Sequence, residues 1–319
     1  QHLFKSYFFK EEYFRNGKGI HWDLWTTRWD QFKNINIPIP STKEQKLISR
    51  YLDKKTEQID RLVSKIQKKI ELLKEQRTSL INQCVTKGLD PSVEMKDSGV
   101  ESIGEIPKRW KLKKLKHIVN ERGLIRGPFG GSLKVDTFVP KGYKVYEQKN
   151  AIYDNLSLGT AYINDKKYDE LKRFSIQKND ILMSCSGTIG KTSLVRGEFE
   201  KGIINQALLI IRLEIPENTH PKYIQTVFSS SFFQEQVIDN SQGGAMKNLV
   251  GIDIFKNVKV PIPDPSEQLE ILKYIDKKCL ILEDLLISEN LRVERLKEYR
   301  QSLIFSVVTG KVRVAEDMV

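Results

Sequence analysis

The chain has 319 residues, enough for about two domains, with 29% charged residues and a net charge of +12. No run approaches the roughly 18 apolar residues of a membrane span, and three scattered cysteines (Cys84, Cys185, Cys279) make neither a disulfide framework nor a metal site. The charge favours a polyanion as partner, nucleic acid first, and the reduced thiols point to a cytoplasmic protein.

Residues 1–36 are dense in aromatics (Tyr7, Phe8, Phe9, Tyr13, Phe14, Trp22, Trp25, Trp29). They read as part of a packed module, too short to bury a core of its own. A repeat then begins. Phe32-Lys33-Asn34, Pro38-Ile39-Pro40, Glu44-Gln45, Asp53-Lys54-Lys55 and Ser79-Leu80-Ile81 all recur 223 residues later without a gap. The copies are Phe255-Lys256-Asn257, Pro261-Ile262-Pro263, Glu267-Gln268, Asp276-Lys277-Lys278 and Ser302-Leu303-Ile304. The module between them opens near Ser98. The same offset would open a first module about 125 residues before Gln1, so a larger protein lacking most of that module is expected.

Each repeat copy predicts a long helix. Helix one starts at the capping box Ser41-Thr42-Lys43-Glu44 and meets no Pro or Gly until Gly88. Leu52, Ile59, Ile66, Leu73 and Leu80 fall at sevens, with Val63, Ile70 and Cys84 alongside and Arg77 as a polar member of this coiled-coil seam. Helix two starts at Asp264-Pro265-Ser266-Glu267, with the same capping pattern and Pro in the first turn. Its seam is Ile275, Leu282, Leu286, Val293, Leu296, Leu303 and Val307, interrupted by Glu289 and Arg300. The middle module starts where helix one ends and finishes where helix two begins, so the helices are expected to pack antiparallel. Roughly 45 residues at about 1.5 Å each give a rod on the order of 65 Å, about two turns of B-DNA. A helical hairpin that only oligomerises is the plainer reading of the seam alone.

The middle module mixes strands and helices. Lys144–Tyr146, Asp180–Ser184 and Ala207–Ile211 predict strands, and Pro221–Asp239 a helix, in an α+β domain around a mostly antiparallel sheet. Gly187-Thr188-Ile189-Gly190-Lys191-Thr192 imitates a phosphate-binding loop but has Cys185 where that loop needs glycine, so a strand–turn–strand with a basic tip is expected. Four scattered histidines show no zinc spacing, and neither a nucleophilic triad nor an adenine-methyltransferase tetrapeptide has a local signature. No catalytic centre is expected. Polyanion-binding loops remain: Arg122, Arg126, Ser132 and Lys134 in a Gly-rich stretch, Gln148-Lys149-Asn150, Thr188 with Lys191, and Lys247-Asn248. Close approach to a DNA backbone needs small residues, and groove readout needs Arg, Lys, Asn or Gln. Each is also compatible with an ordinary turn. The basic face of helix one (Lys54, Lys55, Arg61, Lys65, Lys68, Lys69) is read mainly as solvated.

Several motifs in order carry a resemblance. The stretch from Ser98 to Trp110 is similar to the opening of a target-recognition domain in specificity subunits of type I restriction–modification systems. Asn179-Asp180-Ile181-Leu182-Met183-Ser184 with Ser186–Lys191 resembles that family's central strand–turn, and the two Pro-Ile-Pro…Glu-Gln copies resemble the starts of its conserved helices. The resemblance implies an α+β fold, with globular α/β target-recognition domains joined by a long antiparallel two-helix coiled coil. It divides the chain into a remnant of a first recognition domain (1–40), a central helix (41–90), a second recognition domain (91–260) and a distal helix (261–319). It implies binding to a bipartite double-stranded DNA target, with the helices setting the gap between half-sites. A non-catalytic subunit of this kind docks two modification subunits, which methylate adenine with S-adenosylmethionine. Restriction subunits using ATP and magnesium would join for cleavage. The chain itself needs no cofactor. The alternatives from other classes are a free-standing DNA-binding regulator, a half-length specificity protein acting as a dimer by self-association, and a purely structural coiled coil.

Overall fold

The computed structural model describes residues 2–18, 26–129, 131–214, 219–239 and 248–319. Trp22 and Trp25, like Lys247, lie outside the described residues. The chain divides into two compact units, residues 1–75 with 281–319 and residues 76–280. The division falls inside both long helices, whereas the sequence places the boundaries at their ends.

The first unit holds α1 (His2–Lys5), α2 (Tyr7–Asn16), α3 (Trp29–Phe32) and most of α4 (Thr42–Lys87). Ser6 caps α2 by accepting the Phe9 N–H, and Phe9 packs edge-on against Phe4 and Phe32. Phe9 is buried, while Phe4, Tyr7 and Trp29 stay more than half exposed, as a segment too short for its own core should. The capping box at the start of α4 is present: the Ser41 backbone N–H and hydroxyl both donate to Glu44 Oε2, at 3.0 and 2.7 Å.

The second unit contains β1 (Met95–Asp97), β2 (Glu105–Pro107), β3 (Lys111–Lys114), β4 (Val119–Arg126), β5 (Phe138–Val139) and β6 (Tyr143–Tyr146). α5 (Gln148–Ile152), β7 (Tyr162–Ile163), α6 (Asp165–Glu170), β8 (Ile181–Ser184), β9 (Thr192–Leu194), β10 (Gly202–Ile204) and β11 (Leu208–Leu213) follow. Then come α7 (Pro221–Phe228), α8 (Ser231–Val237), β12 (Ile238–Asp239), β13 (Asn248–Leu249), α9 (Ile252–Phe255), β14 (Lys259–Ile262) and α10 (Pro265–Val308). The expected strands form, but in two four-stranded sheets instead of one. One is antiparallel throughout, in the order β4-β11-β8-β9; the other, β10-β6-β7-β5, includes the parallel pair β10-β6. The apolar runs of β8 and β11 do not alternate because both faces of their sheet are covered. Ile181, Met183, Leu209 and Ile211 join a core with α7, α8 and the ends of the long helices, while Leu182, Leu208 and Ile210 face a second core with Val145, Tyr146 and Ile163. The helix expected over Pro221–Asp239 is two, because the Ser230 hydroxyl accepts the Phe233 N–H and starts α8 afresh.

The long helices run 46 and 44 residues. Within the first unit they are antiparallel. Arg300 pairs with Asp60 at 2.9 Å and Lys69 with Glu289 at 2.6 Å. Ile66 and Ile70 pack with Val293, and Leu52 and Ile59 with Leu303, Ile304 and Val307. Arg77 is exposed and is not buried in the seam; the polar seam member is Glu289, 4% exposed.

Candidate nucleic-acid interface

The antiparallel register of the central sheet brings several loops to one end. β4 finishes there at Arg126, opposite Leu209; β8 finishes at Ser184, opposite Leu208; β9 begins at Thr192, opposite Met183. Past this edge lie the Gly-rich loop after β4, the β8–β9 turn and the Asn205-Gln206 turn before β11. The β8–β9 turn is the expected strand–turn–strand. It leads into a strand, whereas a phosphate-binding loop leads into a helix. Gly187 and Gly190 adopt φ of +66 and +74, and a Cβ on Gly190 would collide with Gln234 Oε1. Ile189 anchors the turn in the core, leaving Thr188 and Lys191 exposed.

Gln148, at the start of α5, donates its amide to the carbonyls of Ser186 and Thr188, clamping this turn. Asn150 is fully buried. Its Oδ1 accepts the Glu147 N–H at 2.8 Å, and its Nδ2 donates to the carbonyls of Asn155 and Leu158. Asn150 therefore shapes the loop from inside and is not placed to touch DNA, a correction to its reading as a contact residue. Lys149 is exposed but pairs with Glu147 at 2.6 Å.

Arg122 and Arg126 are both exposed on β4, with Arg122 inside the irregular stretch between the Leu124–Ile211 and Val119–Leu213 pairs. Gly127 is required next: a Cβ there would collide with the Asn205 carbonyl oxygen. Ser132 is half-buried, with its backbone N–H on the Phe129 carbonyl, and Lys134 is exposed. Arg122, Arg126, Lys134 and Lys191 form no ion pair among the described residues. Arg126 also lies close enough to Cys185 to pull on its thiol, which burial nonetheless pushes up to about 11. Leu249 of β13 donates its N–H to the Cys185 carbonyl, bringing Asn248's strand to the same turn. The structure thus gathers Arg126, Gln148, Thr188, Lys191 and β13 at one end, with Arg122 further back along β4.

Two features of this end are missing from the residues picked by sequence. Phe129 is 81% exposed in the arginine loop, an apolar ring held in solvent. Gln206 is exposed in the turn from β10 to β11, strands of different sheets, and a polar residue between two apolar runs is the sequence signal for such a turn. Asn179-Asp180, by contrast, is structural. Asn179 takes φ of +71, and Asp180 forms a bidentate pair with Arg212 at 2.8 Å for each bond, burial still raising its carboxyl above the ordinary range. Among the described residues no His, Cys, Asp and Glu side chains cluster as a metal site.

The opening motif of the module is anchored on helix two. The Trp110 Nε1–H donates to Glu267 Oε2 at 2.9 Å, and Arg109 Nη2 to Oε1 at 2.8 Å. Glu267 is thus a docking carboxylate, not the capping residue expected for α10. The Gln268 amide donates to the Pro263 carbonyl and its oxygen accepts the His220 N–H.

The family model described as "Type I restriction modification DNA specificity domain" matches residues 7–72 and 107–288. The chain is 24% identical over 299 residues to the type I restriction enzyme MjaVIII specificity subunit of Methanocaldococcus jannaschii, covering 89% of this chain and 63% of that protein. It is 26% identical over 298 residues to the type I restriction enzyme EcoBI specificity subunit of Escherichia coli, covering 86% and 58%. The chain therefore spans about three fifths of the length of these relatives. In fold it is similar to a chain solved in work on complex assembly and conformational transition of the type I R-M system, with a TM-score of 0.75 at 15% identity over 98% of this chain and 70% of that one. It also resembles the HsdS subunit of Thermoanaerobacter tengcongensis, with a TM-score of 0.53 at 14% identity over 98% and 69%. With the family model matched along most of its length, this chain belongs to the type I restriction–modification DNA specificity family.

Proposed function

We propose that this chain directs a type I restriction–modification complex to its DNA sequence, with residues 76–280 reading one half of a bipartite double-stranded site. The observation that carries the reading is the set of exposed cations that form no ion pair among the described residues (Arg126, Lys191 and, on neighbouring stretches, Arg122 and Lys134) around glycine-built turns at one end of the central sheet. Phosphates would meet these cations, and Thr188 is exposed in the β8–β9 turn that ends at Lys191. Gln148, Asn150 and Lys149 would act by holding the turns in place.

The chain contributes specificity and no chemistry of its own. Two modification subunits, docked on the helical pair, methylate adenine from S-adenosylmethionine in this reading. Restriction subunits bring ATP- and magnesium-dependent cleavage, and the complex works in the cytoplasm. Exposed apolar side chains support docking on the helices: Ile281 with Leu285, and Ile287 with Leu291, each pair one turn apart on α10, are at least 40% exposed. The test is DNA binding by the reconstituted methylation complex as a function of salt. Affinity should fall steeply with salt concentration, and Arg126→Ala and Lys134→Ala should weaken it, each reducing the salt slope by about 1. Unchanged affinity and slope in both variants would remove this loop from the interface.

A further inference from the structure

Phe129 is exposed over 81% of its surface, more than any other large apolar side chain among the described residues, yet the chain on either side of it is fastened down. Before the ring, Gly127 and Pro128 are buried. The Gly127 N–H donates to the Leu208 carbonyl at 3.0 Å, and the backbone there runs so close to Asn205 that only glycine fits. Pro128 then fixes its own φ. After the ring, the Phe129 carbonyl accepts the Ser132 N–H at 3.1 Å and Leu133 packs against the second core. The Lys134 carbonyl accepts the Thr137 N–H at 3.0 Å. The ring is thus presented to solvent from an anchored root.

The chemistry around the ring narrows what it could meet. The exposed residues flanking it in sequence include Arg126, Gly131 and Lys134, and neither cation forms an ion pair among the described residues. The centre of a protein–protein interface is depleted in lysine and built from neighbouring apolar anchors. Here one ring stands alone between two cations. Duplex DNA is the better complement, with phosphates for the cations and two kinds of apolar surface, thymine methyl groups and the faces of stacked bases. A methyl contact uses one edge of a ring. Stacking uses both faces, and 81% exposure leaves both open.

We infer that Phe129 is a wedge: its ring inserts between two adjacent base pairs of the half-site and kinks the duplex there, while Arg126 and Lys134 hold the flanking phosphates. Sequence is then read partly through the ease of unstacking at that step, with no base hydrogen bond needed. This inference rests on the DNA-reading proposal.

The test uses the reconstituted methylation complex and a duplex carrying the motif whose methylation depends on this gene, with a dye at each end. Wild type should bend the duplex, seen as a rise in energy transfer between the dyes. Phe129→Ala should reduce the bend and weaken binding about ten- to hundredfold at an unchanged salt slope, because no phosphate contact is lost. Arg126→Ala and Lys134→Ala lower the slope instead. Phe129→Leu keeps an apolar wedge and should retain most of the bend and affinity. Phe129 belongs to neither core of its unit, so both variants should fold. A Phe129→Ala complex that binds and bends like wild type overturns the wedge and leaves DNA reading standing. An equal loss in wild type when the half-site thymines are replaced by uracil also overturns it, in favour of a methyl contact. Failure of Phe129→Ala to co-purify with the modification subunits overturns it in favour of a protein anchor. If wild type shows no salt-dependent binding of the motif, the DNA-reading proposal falls and the wedge with it.

Discussion

Glu267 holds two groups at once, the buried indole N–H of Trp110 and the guanidinium of Arg109. Replacing it with alanine strands a buried donor, at a cost of about 1–3 kcal/mol. Glu267→Ala should therefore lower the urea midpoint of unfolding without changing the cooperativity of the transition. A second residue-scale effect is pH-dependent. Lys69, with Arg292 beside it, holds the Glu289 carboxyl below its ordinary range. Its contribution is present above the unfolded glutamate pKa and is lost as pH falls through the lower folded value. Wild type and Glu289→Gln should then differ in stability at neutral pH and converge on acidification, as followed by circular dichroism; a gap independent of pH would count against this pairing. Sequence singled out Glu289 as a polar seam residue, because it interrupts an apolar period. It assigned Asn150 to DNA and Glu267 to a cap, because residue type cannot distinguish a side chain turned inward from one turned to solvent.

At the scale of elements, periodicity carried far. The seam residues of both helices were readable because a helix repeats its buried face every 3.6 residues, and Leu52, Ile59, Ile66 and Leu73 are all buried. Arg77 misled, since a long charged side chain at the edge of a seam can swing to solvent. Leu52→Ala, at a site with 0% exposure, should cost roughly 2–5 kcal/mol in chemical denaturation, and Ile287→Ser, at 68% exposure, within about 0.5 kcal/mol of nothing. If Ile287→Ser instead abolished recovery of the modification subunits with the chain while leaving stability intact, that would place the Ile287–Leu291 face of α10 in their docking surface. The strands were harder to assign to sheets. β8 and β11 are apolar on both faces, so no alternation says which neighbours they pair with, and the second four-stranded sheet went unseen.

For the whole molecule, the repeat was the most informative feature, since 223 residues separate two copies of one helix start. Order along the chain then gave antiparallel helices, which the pairs Lys69–Glu289 and Asp60–Arg300 bear out within the first unit. The division into compact units escaped the sequence. Cys84 continues the helix-one seam yet belongs, with Ile81 and Val85 one position off that seam, to the core of the second unit, and the heptad alone does not mark that change of partner. The expected consequence for function is read at the level of the genome. Deleting the gene should abolish adenine methylation at one bipartite motif, as mapped by single-molecule sequencing, and leave other motifs unchanged. Loss of no motif would count against the proposed role.

The sheet covered on both faces has an evolutionary consequence. β8 and β11 offer almost no side chain that can vary without disturbing one core or the other. Under the proposed DNA-reading role, heritable change in what the molecule recognises is channelled to the turns at the sheet's end, where Gly187 and Gly190 hold the backbone path and Thr188 and Lys191 are exposed. On that proposed role, a handful of substitutions in those turns changes specificity and leaves the doubly covered scaffold intact.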